Sequence, residues 1–262
     1  MERSIRVHLV PDLVSIQDLA GQVVVVVDVL RATTTLACAL EAGAEKVQPC
    51  LEVAEARELA QVRRLAGEQV LLGGERGGEP IAGFDLGNSP LEYTAETVGG
   101  RALIFTTTNG TRALMRCIGA ERVLLGSLVN RAAVLRAIQG KEQVHILCAG
   151  TDGEPSWEDT LFAGAIVDAW CSQGEASQVL LNDAARMAWR GWQSIRRPEG
   201  NASEGLVASL RLGAGGSNLI RIGRAADIDF AARLDIISTV PELMLSEWWI
   251  RPCKPGGGAD GP

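Results

Sequence analysis

Val23-Val24-Val25-Val26-Val27-Asp28-Val29-Leu30-Arg31-Ala32-Thr33-Thr34-Thr35 decides how this chain is read. An unbroken β-branched run does not alternate between apolar and polar, so it predicts a strand buried on both faces, as in a sheet covered by helices on each side. The run ends in a carboxylate, a guanidinium and three hydroxyls, just before a helical stretch over 34–42 that Gly43 stops. In an open α/β sheet, the crevice beyond the carboxyl ends of the strands is where ligands bind. Asp28 suits a metal ion there, while Arg31, Thr33 and Thr34 suit an oxyanion such as phosphate. The plainer reading of the segment is an acidic strand end followed by threonine caps.

The same grammar recurs outward from this segment. Strands are predicted over 5–10, 22–29, around Val47, and over 70–73, 101–106, 123–126 and 144–148. Helices are predicted over 52–66, from Thr111, and over 130–138, 157–173 and 205–212. Strands alternating with helices give an α/β fold, layered α/β/α around a mostly parallel or mixed sheet. Residues 1–252 form one domain in this reading, or two similar α/β lobes with the site between them. Residues 253–262, with PGGGADGP, read as a disordered tail. Gly43-Ala44-Glu45-Lys46-Val47 and Gly119-Ala120-Glu121-Arg122-Val123 lie 76 residues apart, each following a threonine-rich loop and a short helical stretch. The echo is that of two similar strand–loop–helix units.

Composition excludes several classes. A net charge of −7 argues against a general nucleic-acid surface. No apolar run reaches the roughly 20 residues of a membrane span. MERSIRVHLVPD carries no apolar secretory core, so a cytoplasmic protein is expected. Six dispersed cysteines without a Cys-x-x-Cys make neither a zinc knuckle nor a redox motif. Two histidines, His8 and His145, both inside strand patterns, are too few for a histidine metal centre. A hard cation on oxygen ligands, Mg2+ first, is therefore the expected metal. A homo-oligomer is compatible with all of this.

Four loops hold the candidate chemistry: Asp28–Thr35, Gly73–Ser89, Thr106–Thr111 and Cys148–Thr160. Phosphoryl chemistry needs donors around the non-bridging oxygens and a cation to balance charge. Arg31, Thr107, Thr108, Asn109, Gly110 and Thr111 supply the former. Asp28, Glu75, Asp85, Glu158 and Asp159 offer carboxylate for the latter. Glu75-Arg76, flanked by glycines, sits where backbone approaches something closely. Ser89-Pro90-Leu91-Glu92 reads as a helix cap with proline at the first position, and Gly213–Ser217 as a glycine-rich break. Cys148 lacks the arginine six residues later that a cysteine phosphatase carries; Glu154 stands there.

Together, Val27–Thr35, Gly74-Glu75-Arg76, Gly83–Pro90, Thr106–Thr111 and Glu158-Asp159-Thr160 resemble the 2-phosphosulfolactate phosphatase family in order and spacing across about residues 5–170. Asp227-Ile228-Asp229 and Val240-Pro241 extend the likeness more loosely. The resemblance implies an α/β fold of its own topology. It also implies a magnesium-dependent phosphoric monoester hydrolase that converts 2-phosphosulfolactate, or a related 2-phospho-carboxylate, to 3-sulfolactate and phosphate, a step toward coenzyme M in the family's best-known setting. On that basis Asp28, Glu75 and Asp85 are expected at the metal. Arg31, Thr33, Thr34, Asn88 and Thr107–Thr111 are expected at the phosphoryl group and Arg76 at the sulfonate or carboxylate. Glu158 or Asp159 is expected to orient water or protonate the leaving oxygen. Asp28 is alternatively a phosphoryl acceptor, although a haloacid-dehalogenase-like phosphatase would carry a second aspartate where this chain has Leu30. A phosphotransferase with a small acceptor and a non-catalytic anion-binding module are the competing functions.

Overall fold

The valines of the 23–27 run point alternately into two separate apolar cores, so the strand they form is buried on both faces. A computed structural model describes residues 3–172, 179–195 and 202–253. The expected tail beyond Cys253 lies outside them. The strands are β1 (Arg3–His8), β2 (Val23–Val27), β3 (Lys46–Pro49), β4 (Val70–Arg76), β5 (Glu79–Pro80), β6 (Ala102–Thr106), β7 (Arg122–Gly126), β8 (Gln143–Cys148), β9 (Val179–Leu181), β10 (Pro241–Met244) and β11 (Trp249–Pro252). The helices are α1 (Ile16–Leu19), α2 (Ala32–Glu41), α3 (Val53–Leu65), α4 (Ala95–Val98), α5 (Gly110–Met115), α6 (Arg131–Ala137), α7 (Trp157–Ser172), α8 (Asp183–Ile195), α9 (Ala202–Leu212), α10 (Ala214–Arg221) and α11 (Ala225–Ala231).

All described strands join one mixed sheet in the order β5-β4-β6-β3-β11-β10-β7-β2-β8-β1-β9. Val23, Val25 and Val27 pack with α6, α7 and α8 on one face; Val24 and Val26 pack with α2 and α5 on the other. This is the layered α/β/α arrangement, and period-2 side-chain alternation produces it.

The two echo units are interleaved within this one sheet. β2 leads through α2 to β3, and β6 leads through α5 to β7. The second strand of each unit pairs in parallel with the first strand of the other, β3 with β6 and β7 with β2. Exchanging the units therefore maps one pairing onto the other. Between them the antiparallel β10–β11 hairpin bonds to β7 on one side and β3 on the other.

Local expectations hold within a residue or two for most elements through Ser172. The expected break at 213–217 is instead the start of α10, which has β-region backbone at Gly213 and no side-chain cap. Ser89 does not cap: Pro90–Glu92 is a single 3-10 turn, and the Ser89 hydroxyl donates to Asp227 Oδ1 at 2.6 Å. His8 and His145 stack, with Nε2 and Nδ1 3.1 Å apart, and burial pushes His8 down to about 4. Cys148 is buried against α7, and burial pushes its thiol up, as suits a packing residue. Among the described residues no helix is long and apolar enough to cross a membrane.

Candidate functional site

Loops beyond the carboxyl ends of β2, β4, β6 and β8 meet at one cavity of about 420 Å³, roofed by α10. Its wall includes Asp28, Arg31, Glu75, Asn88, Thr108 and Asn109 from the expected set, together with Gly77, Gly78, Thr151, Asp152, Gly215, Asn218 and Arg221. That size suits a small molecule rather than a lone ion.

Asp28 follows β2 at the point where the sheet ends. Its Oδ1 accepts from the Ala32 N–H at 3.1 Å, at the start of α2. Thr33 is bound into the same turn: its hydroxyl accepts from the Asp28 N–H and reaches the Asp28 and Gly126 carbonyls. Thr34 Oγ bonds the Val29 carbonyl and Ser127. These threonines shape the loop and face the protein, not the cavity. Asp28 is 8% exposed. Burial first, then the neighbouring Asp159 and Glu75 carboxylates, push its carboxyl up to about 8, against the Ala32 N–H and Arg31, which act the other way.

Across the cavity Glu75 is gripped at both oxygens. Oε1 accepts from the Thr108 N–H at 2.8 Å and Oε2 from the Gly78 N–H at 2.6 Å. The first of these ties the loop after β6 to the end of β4. The convergence is tight at Gly110: a Cβ there would lie 2.9 Å from Ala32 Cβ and 3.0 Å from Asp28 Oδ2. Gly110→Ala should therefore displace Asp28 and lower kcat/KM by roughly tenfold, about 1.4 kcal/mol, in a steady-state assay. Thr107 and Thr111 lie buried behind this contact, with the Thr107 N–H directed at the Thr111 hydroxyl.

Arg31 is 4% exposed; one guanidinium nitrogen donates to Asp227 Oδ2 and another to the Gly78 carbonyl, each at 2.7 Å. Asp227, on α11, thus aims the Arg31 side chain and is the positioning group that sequence reasoning placed only in a loose likeness. Thr35 donates to the Asn88 carbonyl and fixes that residue at the wall.

Asp159 is held at both oxygens, by the Val29 N–H at 2.8 Å and the Gly150 N–H at 3.1 Å. It pins the loop after β2 to the loop after β8. Burial and then Glu158 push its carboxyl up to about 7. Glu158 is 1% exposed and lies behind the wall at Gly215, where any Cβ would collide with its Oε1. Burial, and then Asp28, push it up to about 7. Its Oε2 is buried and unbonded, as are Asn88 Oδ1 and Thr108 Oγ1 in the wall itself. Native proteins rarely leave such atoms unpaired, so the two in the wall call for a water or a ligand as partner.

Besides the threonines and carboxyls already placed behind the wall, Asp85 and Arg76 also lie outside it. Asp85 Oδ2 accepts from the Leu72 N–H and from Arg64, both at 2.7 Å, which fastens the 85–86 segment along β4 and away from the cavity. Arg76 donates to the Leu51 and Glu75 carbonyls and to the Thr106 hydroxyl. The second follows from β4 extending to residue 76: successive side chains leave opposite faces of a strand, so Glu75 in the cavity puts Arg76 out of it. The acidic wall that remains, Asp28 and Glu75, fits a hard cation completed by water and phosphate oxygens. Three or more metal-binding side chains do not gather at one point among the described residues.

The family profile described as 2-phosphosulpholactate phosphatase matches residues 8–245. A probable 2-phosphosulfolactate phosphatase of Symbiobacterium thermophilum is 45% identical over 226 residues, which cover 86% of this chain and 92% of that protein. One from a Synechococcus strain is 42% identical over 239 residues, covering 88% and 92%. On that match, and with the order of its motifs along β2, β4 and β6, the chain belongs to the 2-phosphosulfolactate phosphatase family.

Proposed function

We propose that this chain hydrolyses 2-phosphosulfolactate, or a closely related 2-phospho acid, to 3-sulfolactate and inorganic phosphate with Mg2+ bound at Asp28 and Glu75. Family membership makes it a phosphoric monoester hydrolase. The observation that carries the finer reading is the convergence of Asp28, Glu75, Arg31, Thr108 and Asn109 on one cavity, whose wall also holds the unpaired Asn88 Oδ1 and Thr108 Oγ1.

When bound, the cation supplies charge neutralisation at phosphoryl oxygens. The chain does the rest. The Thr108 hydroxyl has no partner and is free to donate to a phosphoryl oxygen. Arg31, fixed by Asp227, presents a preorganised cationic edge, so little reorganisation accompanies charge build-up. Departure of the alkoxide needs a proton. Neither candidate carboxyl lines the cavity; of the two, Glu158 keeps an unbonded oxygen behind Gly215 and burial pushes it up to about 7, so it is the one able to carry a proton to the wall. Asp159, bonded at both oxygens, orients the loop that carries Asp28. A buried carboxyl pair such as Asp28 and Glu75 adds nothing to the binding of an anion by itself, which disfavours a purely anion-binding module. We further place the protein in the cytoplasm, toward coenzyme M formation; the buried thiols of Cys38, Cys50, Cys117, Cys148 and Cys171 fit a reducing compartment.

A phosphate-release screen over 2-phospho-carboxylates and 2-phosphosulfonates tests this directly. Release from 2-phosphosulfolactate should vanish in excess chelator and return with Mg2+. Full activity in chelator contradicts the cation, and no release from any 2-phospho acid contradicts the substrate class.

A further inference from the structure

With Arg76 turned away, the acidic group at the far end of a 2-phospho acid lacks its expected partner. α10 supplies another. Ala214, Asn218 and Arg221 lie four and three residues apart, so they share one helical face, and all three line the cavity. The helix is seated by close contacts on both sides: Gly215 against Glu158, and Asn218 against Gly78, where a Cβ would come within 3.0 Å of Asn218 Nδ2. Arg221 is therefore presented by a fixed element rather than by a loose loop.

Charge pairing separates the two arginines of the wall. Arg31 is buried and already committed to Asp227 and the Gly78 carbonyl. Arg221 is exposed at the rim, and its guanidinium donates to Asn218 Oδ1 at 2.6 Å. Among the described residues no carboxylate lies within ion-pair distance of it. The brace to Asn218 orients the planar fork without neutralising it, which suits bidentate recognition of an oxyanion.

Resting on the phosphatase reading above, we propose that Arg221, braced by Asn218, forms a second anion subsite. It holds the sulfonate or carboxylate at the non-reacting end of the substrate and makes the enzyme prefer 2-phospho acids to simple phosphate esters. The roof helix from the C-terminal third thus selects the substrate, while loops of the N-terminal two-thirds hold the phosphoryl group.

The test compares wild type, Arg221→Gln and Arg221→Lys. In kinetics with 2-phosphosulfolactate and glycerol 2-phosphate, Arg221→Gln should lower the ratio of kcat/KM for the two by about tenfold, chiefly through KM for the acid, and Arg221→Lys should recover part of it. A ratio unchanged in Arg221→Gln overturns the subsite. A second readout needs no turnover: calorimetric binding of 3-sulfolactate should weaken about tenfold in Arg221→Gln, with the melting temperature of the variant reporting that it is folded. Absent binding to wild type, or equal binding to both, also overturns the subsite. Arg221-dependent binding of 3-sulfolactate without phosphate release from any 2-phospho acid leaves the subsite standing and removes the phosphatase reading instead.

Discussion

Asp28→Asn should lower kcat/KM by roughly 100-fold or more, about 3 kcal/mol of transition-state stabilisation, while making the protein harder to melt at pH 8. Both effects come from one cause. Asp28 is a buried carboxylate set among Asp159, Glu75 and Glu158, and it is useful because its charge is poorly compensated by the protein. Its folded value, about 8, lies above the ordinary value near 3.9. Between those limits the folded chain holds a proton that the unfolded chain releases, so stability is full at the acidic side and falls as pH rises through the window. Glu158 and Asp159, pushed up to about 7, share the slope. Asparagine keeps the acceptor for the Ala32 N–H and removes the charge. In chelator, the variant should melt about 2 °C or more above wild type at pH 8, converging toward pH 5. A near wild-type rate would remove Asp28 from the reacting centre, and equal melting at both pH values would contradict the uncompensated charge.

Asp227→Ala should be the most damaging change outside the acidic wall. Asp227 is 2% exposed and accepts from both Arg31 and Ser89. Alanine leaves the Arg31 guanidinium buried with only the Gly78 carbonyl, and breaking a buried pair on one side costs about 3–5 kcal/mol. For a chain of this size the melting temperature should fall by about 10 °C. In whatever fraction remains folded, KM for the phosphate ester should rise because Arg31 is no longer aimed. Asp227→Asn, which still accepts from Ser89, should recover part of the stability. A melting temperature within about 2 °C of wild type for Asp227→Ala would show that Arg31 does not depend on this partner.

The sequence was most legible where a residue's neighbours along the chain are also its neighbours in space. Five valines announce a doubly buried strand because both faces are apolar, and α3 announces itself through its single apolar stripe. The loops after β2 and β6 were legible as cavity-lining loops because strand ends concentrate polar residues. Legibility failed where long-range contact overrides local preference. α10 opens Ala-Gly-Gly-Ser, a poor helical start by propensity. It forms where two glycines allow the close approach of Glu158 and of the Leu210 carbonyl. β10 and β11 begin or end in proline and are short, yet their place in the middle of the sheet is set by distant partners on β7 and β3. Arg76 was misread through register: glycines on both sides correctly marked a close approach, but only Glu75 shares the face that makes it. Asp227 is nearly 200 residues from Arg31, and no local signal could pair them.

If four strand-end loops meet at one centre, a phosphoryl group and a cation should bind there together. A crystal structure of the protein grown with magnesium and beryllium fluoride tests it most directly. Density for both should lie between Asp28, Glu75 and Thr108, with the beryllium either bonded to Asp28 Oδ or its fluoride complex standing free beside it, which separates the covalent from the direct route. Fluoride and metal bound elsewhere, with Asp28, Glu75 and Thr108 on separate surfaces, would contradict it.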